Sequence, residues 1–137
     1  PDGALECTRS AARTLVGLAR ERGWLAAAPF DARVRCELIH CLAVSPRTHS
    51  ELSDLLPAGL ASEQADVDRV LGQVAHYRPP RALDDKGKYV LKDHLWGEFD
   101  AFFHRYSRVE LEHAMQHAVG GFRRARIHHK QAAAAAA

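Results

Sequence analysis

The run from Val44 to Leu56, VSPRTHSELSDLL, restricts this chain more than any other stretch, because a helix end, a turn and a helix start are compressed into it. Ser45-Pro46-Arg47 is a polar turn, and Pro46 cannot continue the apolar-periodic segment before it. In Thr48-His49-Ser50-Glu51 the Thr48 hydroxyl is spaced to accept the amide of Glu51, while the Glu51 carboxylate reaches back to the amide of Thr48. Two helices must therefore meet at a tight corner.

The elements around that corner follow from the same rules. Asp31 is placed to cap the helix before it, whose stripe is Val34, Leu38, Ile39, Cys41 and Leu42. The short helix after it stops at Pro57-Ala58-Gly59, and Ser62 is placed to cap a third helix with apolar positions at Val67, Val70, Leu71 and Val74. Arg78-Pro79-Pro80 forbids further helix, and Asp84-Asp85-Lys86-Gly87 is a turn before the β-prone Lys88 to Leu91. Helix, helix, helix, hairpin is the winged-helix order. The predicted class is mainly α with a small β-hairpin (α+β), a winged-helix core over 31–92 flanked by amphipathic helices.

The N-terminal flank, 1–30, reads as a helix and an apolar connector. Leu5, Ala12, Leu15 and Ala19 form a helical stripe, Gly23 is its expected stop, and Trp24 and Phe30 are expected to dock on the core. The C-terminal flank, 93–131, reads as helices. Asp93 heads a stripe of Leu95, Phe99, Phe102, Phe103 and Tyr106; Ser107-Arg108-Val109-Glu110 is a second capping-box pattern, followed by Leu111, Met115, Ala118 and Phe122. Gly120-Gly121 weakens that last helix. The terminal run 132–137 is poly-Ala and reads as a placeholder.

No apolar run approaches the ~20 residues that cross a bilayer, and the N-terminus lacks a basic stretch followed by a hydrophobic one, so the expectation is a cytoplasmic and/or nuclear protein without membrane contact. Cys7, Cys36 and Cys41 suit neither a metal knuckle nor a disulfide framework and read as reduced packing residues. Between Asp31 and Leu91, eight Lys/Arg face nine Asp/Glu, so the core is not basic. On the third helix Glu63, Asp66, Arg69, Gln73 and His76 are left to look outward, a poor surface for phosphates, and nucleic acid is not an expected partner there. From Arg105 to Lys130 six basic residues face only Glu110 and Glu112, which concentrates positive charge in the last helix.

His113 and His117, with Glu110, share a helical face but lack the Glu that follows the first His in zincins; they read as a solvated face, and His128-His129 likewise. His40 and His49 flank the corner, where turn or cap groups need partners. Nucleophile elbow, phosphate loop and carboxylate pair on apolar ground are all missing from the sequence. The expected catalytic, cofactor-binding and metal residues are therefore none.

Five stretches taken together, Val34-Arg35-Cys36-Glu37-Leu38-Ile39-His40-Cys41-Leu42, Thr48-His49-Ser50-Glu51-Leu52 with Leu56-Pro57, Val74-Ala75-His76-Tyr77-Arg78-Pro79-Pro80, Gly87-Lys88-Tyr89-Val90-Leu91-Lys92, and Phe99 through Phe102-Phe103-His104-Arg105-Tyr106-Ser107, resemble the winged-helix region of the UBR-type E3 ubiquitin ligases of the N-degron pathway. They run in order from Val34 to Ser107. The resemblance implies a non-catalytic scaffold module that packs between the substrate-recognition and RING regions of a larger RING-type ubiquitin transferase. It implies other domains of that ligase as partners, with a ubiquitin-conjugating enzyme as a further candidate, and zinc only elsewhere in the parent protein. The UBR box and the RING each need clustered Cys and His, which this chain lacks. The alternative reading is a stand-alone winged-helix nucleic-acid binder that uses the basic C-terminal helix.

Overall fold

A computed structural model describes the backbone of residues 2–25 and 29–136 and the side chains of residues 3–4, 6–15 and 29–136. Helix α1 is Asp2–Leu25, α2 is Phe30–Val44, α3 is His49–Leu55, α4 is Ala58–Ala61 and α5 is Gln64–Val74. Strands β1 (Ala75–Arg78) and β2 (Lys88–Leu91) form an antiparallel hairpin, a 3₁₀ helix spans Asp93–Glu98, and α6 runs from Arg108 to Ala136.

The corner forms as its residues dictate. The Glu51 amide donates to Thr48 Oγ1 at 3.3 Å and the Thr48 amide donates to Glu51 Oε2 at 2.7 Å, a complete capping box. That exchange holds the Glu51 carboxyl below its ordinary range. Arg47, just before the cap, trades both backbone hydrogen bonds with Tyr89 of β2, at 3.2 and 2.7 Å, and so adds a one-residue third strand to the wing. The hairpin register pairs Ala75 with Leu91 and Tyr77 with Tyr89. Two separate signals in the sequence, the turn and the β-prone run, are thus tied to one another.

The core sits where α2 crosses α5 and α6. Val34, Leu38 and Ile39 of α2 and Val70 and Val74 of α5 are fully buried, joined by Leu52, Leu91, Leu95 and Trp96. Burying each such side chain contributes about 1.5–3 kcal/mol. Phe30 packs against this core as expected, while the expected docking of Trp24 lies outside the described side chains.

Several sequence expectations give way to tertiary structure. Gly23 does not end α1, which continues to Leu25. Asp31 lies in the first turn of α2 behind the cap residue Pro29, and Asp93 in the first turn of the 3₁₀ helix behind Lys92; each instead holds an arginine, Arg69 and Arg124. Ser62 caps nothing: its hydroxyl donates to Gly59 at 3.4 Å, and α5 starts behind Glu63 without a side-chain cap. His76 belongs to β1 rather than to the third helix, because α5 stops at Val74 and Lys92 Nζ takes the Gly72 carbonyl at 3.0 Å. Cys7 is exposed, unlike the part-buried Cys36 and Cys41.

The largest departure is 93–106. One helix with an aromatic stripe is expected there; the chain makes a 3₁₀ helix and then single turns, closed by Phe99 to Trp96, Phe103 to Asp100 and Tyr106 to Phe103 hydrogen bonds three residues apart. The cause lies across the domain, in α2.

Candidate functional site

His40 stands inside the apolar stripe of α2, between Ile39 and Cys41, and only 3% of its surface is exposed. Its Nδ1 lies 2.7 Å from the Cys36 carbonyl, and the Asp100 amide donates to its Nε2 at 3.0 Å. An acceptor at one nitrogen and a donor at the other fix the neutral ring with its proton on Nδ1. Asp100 Oδ1 then accepts the Phe102 amide at 2.9 Å, which turns the chain and replaces the helix expected here.

The aromatic residues close round this ring. Phe103 stacks on His40 with centroids 4.3 Å apart and planes 11° from parallel, and Phe99 and Tyr106 approach at 6.0 and 5.9 Å. The Tyr106 hydroxyl donates to the His40 carbonyl at 2.7 Å. Burial lowers the His40 pKa and raises that of Tyr106. Outside the ring stack, Arg35 grips Glu98 through two bonds of 3.1 and 2.7 Å, and Arg105 donates to the last-turn carbonyl of Leu55 at 3.0 Å while facing the buried Glu37 at 3.4 Å. Residues fifty or more positions apart in the chain are thereby locked together.

On its other side this segment carries α6. Ala114, Ala118 and Gly121 form the buried line of that helix, and Trp96 lies so close that a Cβ on Gly121 would overlap its indole. Arg124 Nε donates to Asp93 at 2.7 Å, and His128 reaches the same carboxylate at 3.4 Å. The Gly120-Gly121 pair, a weakness by helix propensity, includes the point of closest approach.

Both nitrogens of His40 are engaged, and burial pushes the Cys36 and Cys41 thiols up to about 11 and about 12, away from the thiolate a nucleophile needs. Glu110 forms a second capping box with Ser107, at 2.7 and 3.2 Å, and His117 Nδ1 meets the Ala43 carbonyl at 3.3 Å. Among the described residues, no group of three potential ligands converges. His49 pairs with Asp68 at 2.8 Å and draws Gln64 into the same cluster.

The outer face of α5 is neutralised from within. Its one arginine, Arg69, donates to Asp31 at 2.9 and 2.8 Å and to Asp66 at 3.2 Å, while Glu63 and Gln73 are exposed. Phosphate contacts need free cations. The opposite condition holds on α6, where Val109, Met115, Val119, Phe122 and Ile127 are exposed beside Arg123 and Arg126. Phe102 also points outward, 49% exposed, so the aromatic run divides into a buried Phe103, partly buried Phe99 and Tyr106, and one exposed member. The role of His40 was within reach of sequence reasoning: a histidine embedded in the apolar positions of α2 calls for buried partners.

Comparison with known proteins agrees with this geometry. The family model described as "E3 ubiquitin-protein ligase UBR1-like, winged-helix domain" matches residues 33–133, which takes in α2 through most of α6. The chain is 39% identical over 85 residues to E3 ubiquitin-protein ligase UBR1 of Drosophila melanogaster, covering 61% of this chain and 5% of that protein. It is 35% identical over 81 residues both to E3 ubiquitin-protein ligase UBR2 of Mus musculus and to E3 ubiquitin-protein ligase PRT6 of Arabidopsis thaliana, covering 59% of this chain and 4% of each relative. The match therefore spans about a twentieth of those proteins' length. With the corner, the wing and the His40 joint all inside the matched region, this chain belongs to the winged-helix domain family of UBR1-like E3 ubiquitin ligases.

Proposed function

We propose that this winged helix is a non-catalytic scaffold of an N-degron E3 ubiquitin ligase, packed between the substrate-recognition and RING regions of the parent protein. The observation that carries the reading is the joint on His40: it fixes the angle between α2, the 93–106 segment and α6 with a buried stack instead of a flexible linker. A module that sets geometry needs such a joint, and it needs outward apolar surface, which α6 supplies. The parent acts as a RING-type ubiquitin transferase whose zinc sits in other domains, and it works in the cytoplasm and/or nucleus. Other domains of that ligase are the first partners. A ubiquitin-conjugating enzyme is the second candidate, on the basic part of α6 near Arg123 and Arg126. Nucleic acid is not among the partners in this reading, since Arg69 is spent on Asp31 and Asp66. A stand-alone nucleic-acid module gains no support from the family to which the chain belongs.

Phe103→Ala in the full-length ligase tests the scaffold. Removing a buried Phe costs about 3–5 kcal/mol of stability, a large part of what a domain of this size has. Ubiquitin transfer to an N-degron substrate should fall while degron peptides keep their affinity for their own distant domain. Loss of degron binding with the protein still folded would make this module part of the recognition site. Ubiquitin discharge by the 137-residue chain alone would end the non-catalytic reading.

A further inference from the structure

The loop of the wing, from Pro79 to Gly87, holds an apolar side chain wholly in solvent. Leu83 at its apex is fully exposed, and Pro79, Pro80 and Ala82 beside it are exposed as well. The loop is nevertheless closed on itself. The Asp85 amide donates to the Ala82 carbonyl at 3.1 Å, and the Arg81 amide donates to Asp85 Oδ2 at 3.1 Å. Pro79 and Pro80 fix φ on the way in. On the way out, Gly87 leaves room for the Tyr77 phenol, which a Cβ there would overlap, and Tyr77 meets Tyr89 edge-on at 5.5 Å across the hairpin. Hydrogen bonds, prolines and an aromatic brace all hold Leu83 outward.

Charge narrows the partner. Around the tip Arg78, Arg81, Lys86 and Lys88 face Asp84 and Asp85, and the Asp85 carboxylate is occupied inside the loop. A phosphate backbone would satisfy the cations but would offer Leu83 nothing and would be repelled by Asp84. An apolar socket with a carboxylate rim satisfies both features. Tethering adds the last argument: the region this chain matches is 4–5% of its relatives' length, and a domain elsewhere in the same polypeptide meets the wing at an effective concentration on the order of millimolar.

We propose that the wing is a preorganised docking knob whose Leu83 enters an apolar, carboxylate-rimmed socket on another domain of the parent ligase. This rests on the scaffold reading but uses a surface remote from Phe103. The test places a diazirine-bearing leucine analogue at position 83 of the full-length ligase, followed by irradiation and peptide mapping. The expected product is a cross-link to a peptide of the same polypeptide outside this domain, in an apolar stretch flanked by Asp or Glu. Arg81→Glu should lower its yield roughly tenfold, as for a reversed charge at an interface rim. Quenching by water alone, or a cross-link to a separate protein or to nucleic acid, overturns the proposal. Leu83→Asp separates fold from docking: it should leave the melting temperature of the 137-residue chain unchanged, since Leu83 buries nothing, while hydrogen exchange of the socket peptide in the full-length protein increases. A lowered melting temperature, or unchanged exchange across the whole ligase, counts against the knob. Failure here with a transfer defect in Phe103→Ala leaves the scaffold standing and removes only the wing contact.

Discussion

Helices α5 and α6 both pack on α2 and are used in opposite ways. Helix α5 of the core buries Val67, Val70, Leu71 and Val74 and covers its outer side with charges that find partners at home, Arg69 with Asp31 and Asp66, Asp68 with His49. Helix α6 buries Ala114, Ala118 and Gly121, the smallest side chains available, and leaves Val109, Met115, Val119 and Ile127 exposed, while Phe122 is exposed on one side and meets Phe99 edge-on at 6.5 Å on the other. A helix that contributes little bulk to its own core and much apolar area to the surface is suited to contact something beyond it. In α5 the charges are paired within the domain, whereas in α6 apolar residues stand exposed beside Arg123 and Arg126.

The comparison breaks most readily at Gly121. A methyl there must displace the Trp96 ring, and Trp96 also holds Phe99 edge-on at 6.0 Å. Gly121→Ala should therefore destabilise the chain by about 1–3 kcal/mol, against a gain of up to ~1 kcal/mol from helix propensity. The control is Gly120→Ala, one residue earlier, where the nearest obstacle is the movable end of Arg124 at 3.2 Å. Thermal denaturation of the two variants side by side is the measurement. Equal melting temperatures would mean that α6 does not seat on Trp96, and the picture of a close small-residue contact would fail.

What the sequence revealed and what it hid divide along the same line. The corner was legible because Thr48 and Glu51 bond within three residues, and α5 because Val67, Val70, Leu71 and Val74 repeat with the helix period. The segment 93–106 was not. Its aromatic spacing fits a helix equally well, and what decides against one is His40, whose Nε2 takes the Asp100 amide from sixty residues away. Neither residue carries a local sign of the other. Gly120 and Gly121 were indistinguishable in sequence for the same reason: only the position of Trp96 separates a tolerated glycine from a required one. Exposed surface was the hardest part. An amphipathic stripe says which residues are apolar, not which neighbour covers them, so nothing in the spacing of Met115, Ala118 and Phe122 tells that Ala118 is buried and the other two are exposed.

Acid should loosen the α6 side before the α5 side. His40 is buried neutral, with a pKa lowered from 6.5 by desolvation, and a proton on Nε2 would set a donor against the Asp100 amide. Because the unfolded chain takes up that proton first, the His40 contribution is complete above the unfolded pKa and is lost as pH falls from there through the folded value. Carboxylates held low by hydrogen bonds, Glu51, Asp68 and Asp85, begin to lose theirs only at more acidic pH. Between about pH 7.5 and about pH 5.5 the melting temperature should therefore decline, and hydrogen exchange should rise first around Phe99 to Tyr106. His40→Gln, which cannot charge, should flatten that slope. A His40→Gln variant with the wild-type slope would assign the acid sensitivity to some other histidine.

The smallest effect is the most direct measure of how self-contained α5 is. Gly72 lies in the last turns of that helix, exposed, with nothing within 4 Å of where a Cβ would stand and no positive φ to demand glycine. Its carbonyl is already taken by Lys92 Nζ at 3.0 Å, a bond to the backbone that a side chain at position 72 does not disturb. Glycine here carries only the cost of its freedom in the unfolded chain. Gly72→Ala should thus raise stability by about 0.4–1 kcal/mol, read as a small increase in denaturation midpoint with the slope unchanged. The same substitution in the full-length ligase should leave ubiquitin transfer untouched if α5 faces only water and its own domain. A stabilised chain whose parent ligase loses transfer would show that some partner does lie against the α5 face, and the contrast between the inward helix and the outward one would have to be redrawn.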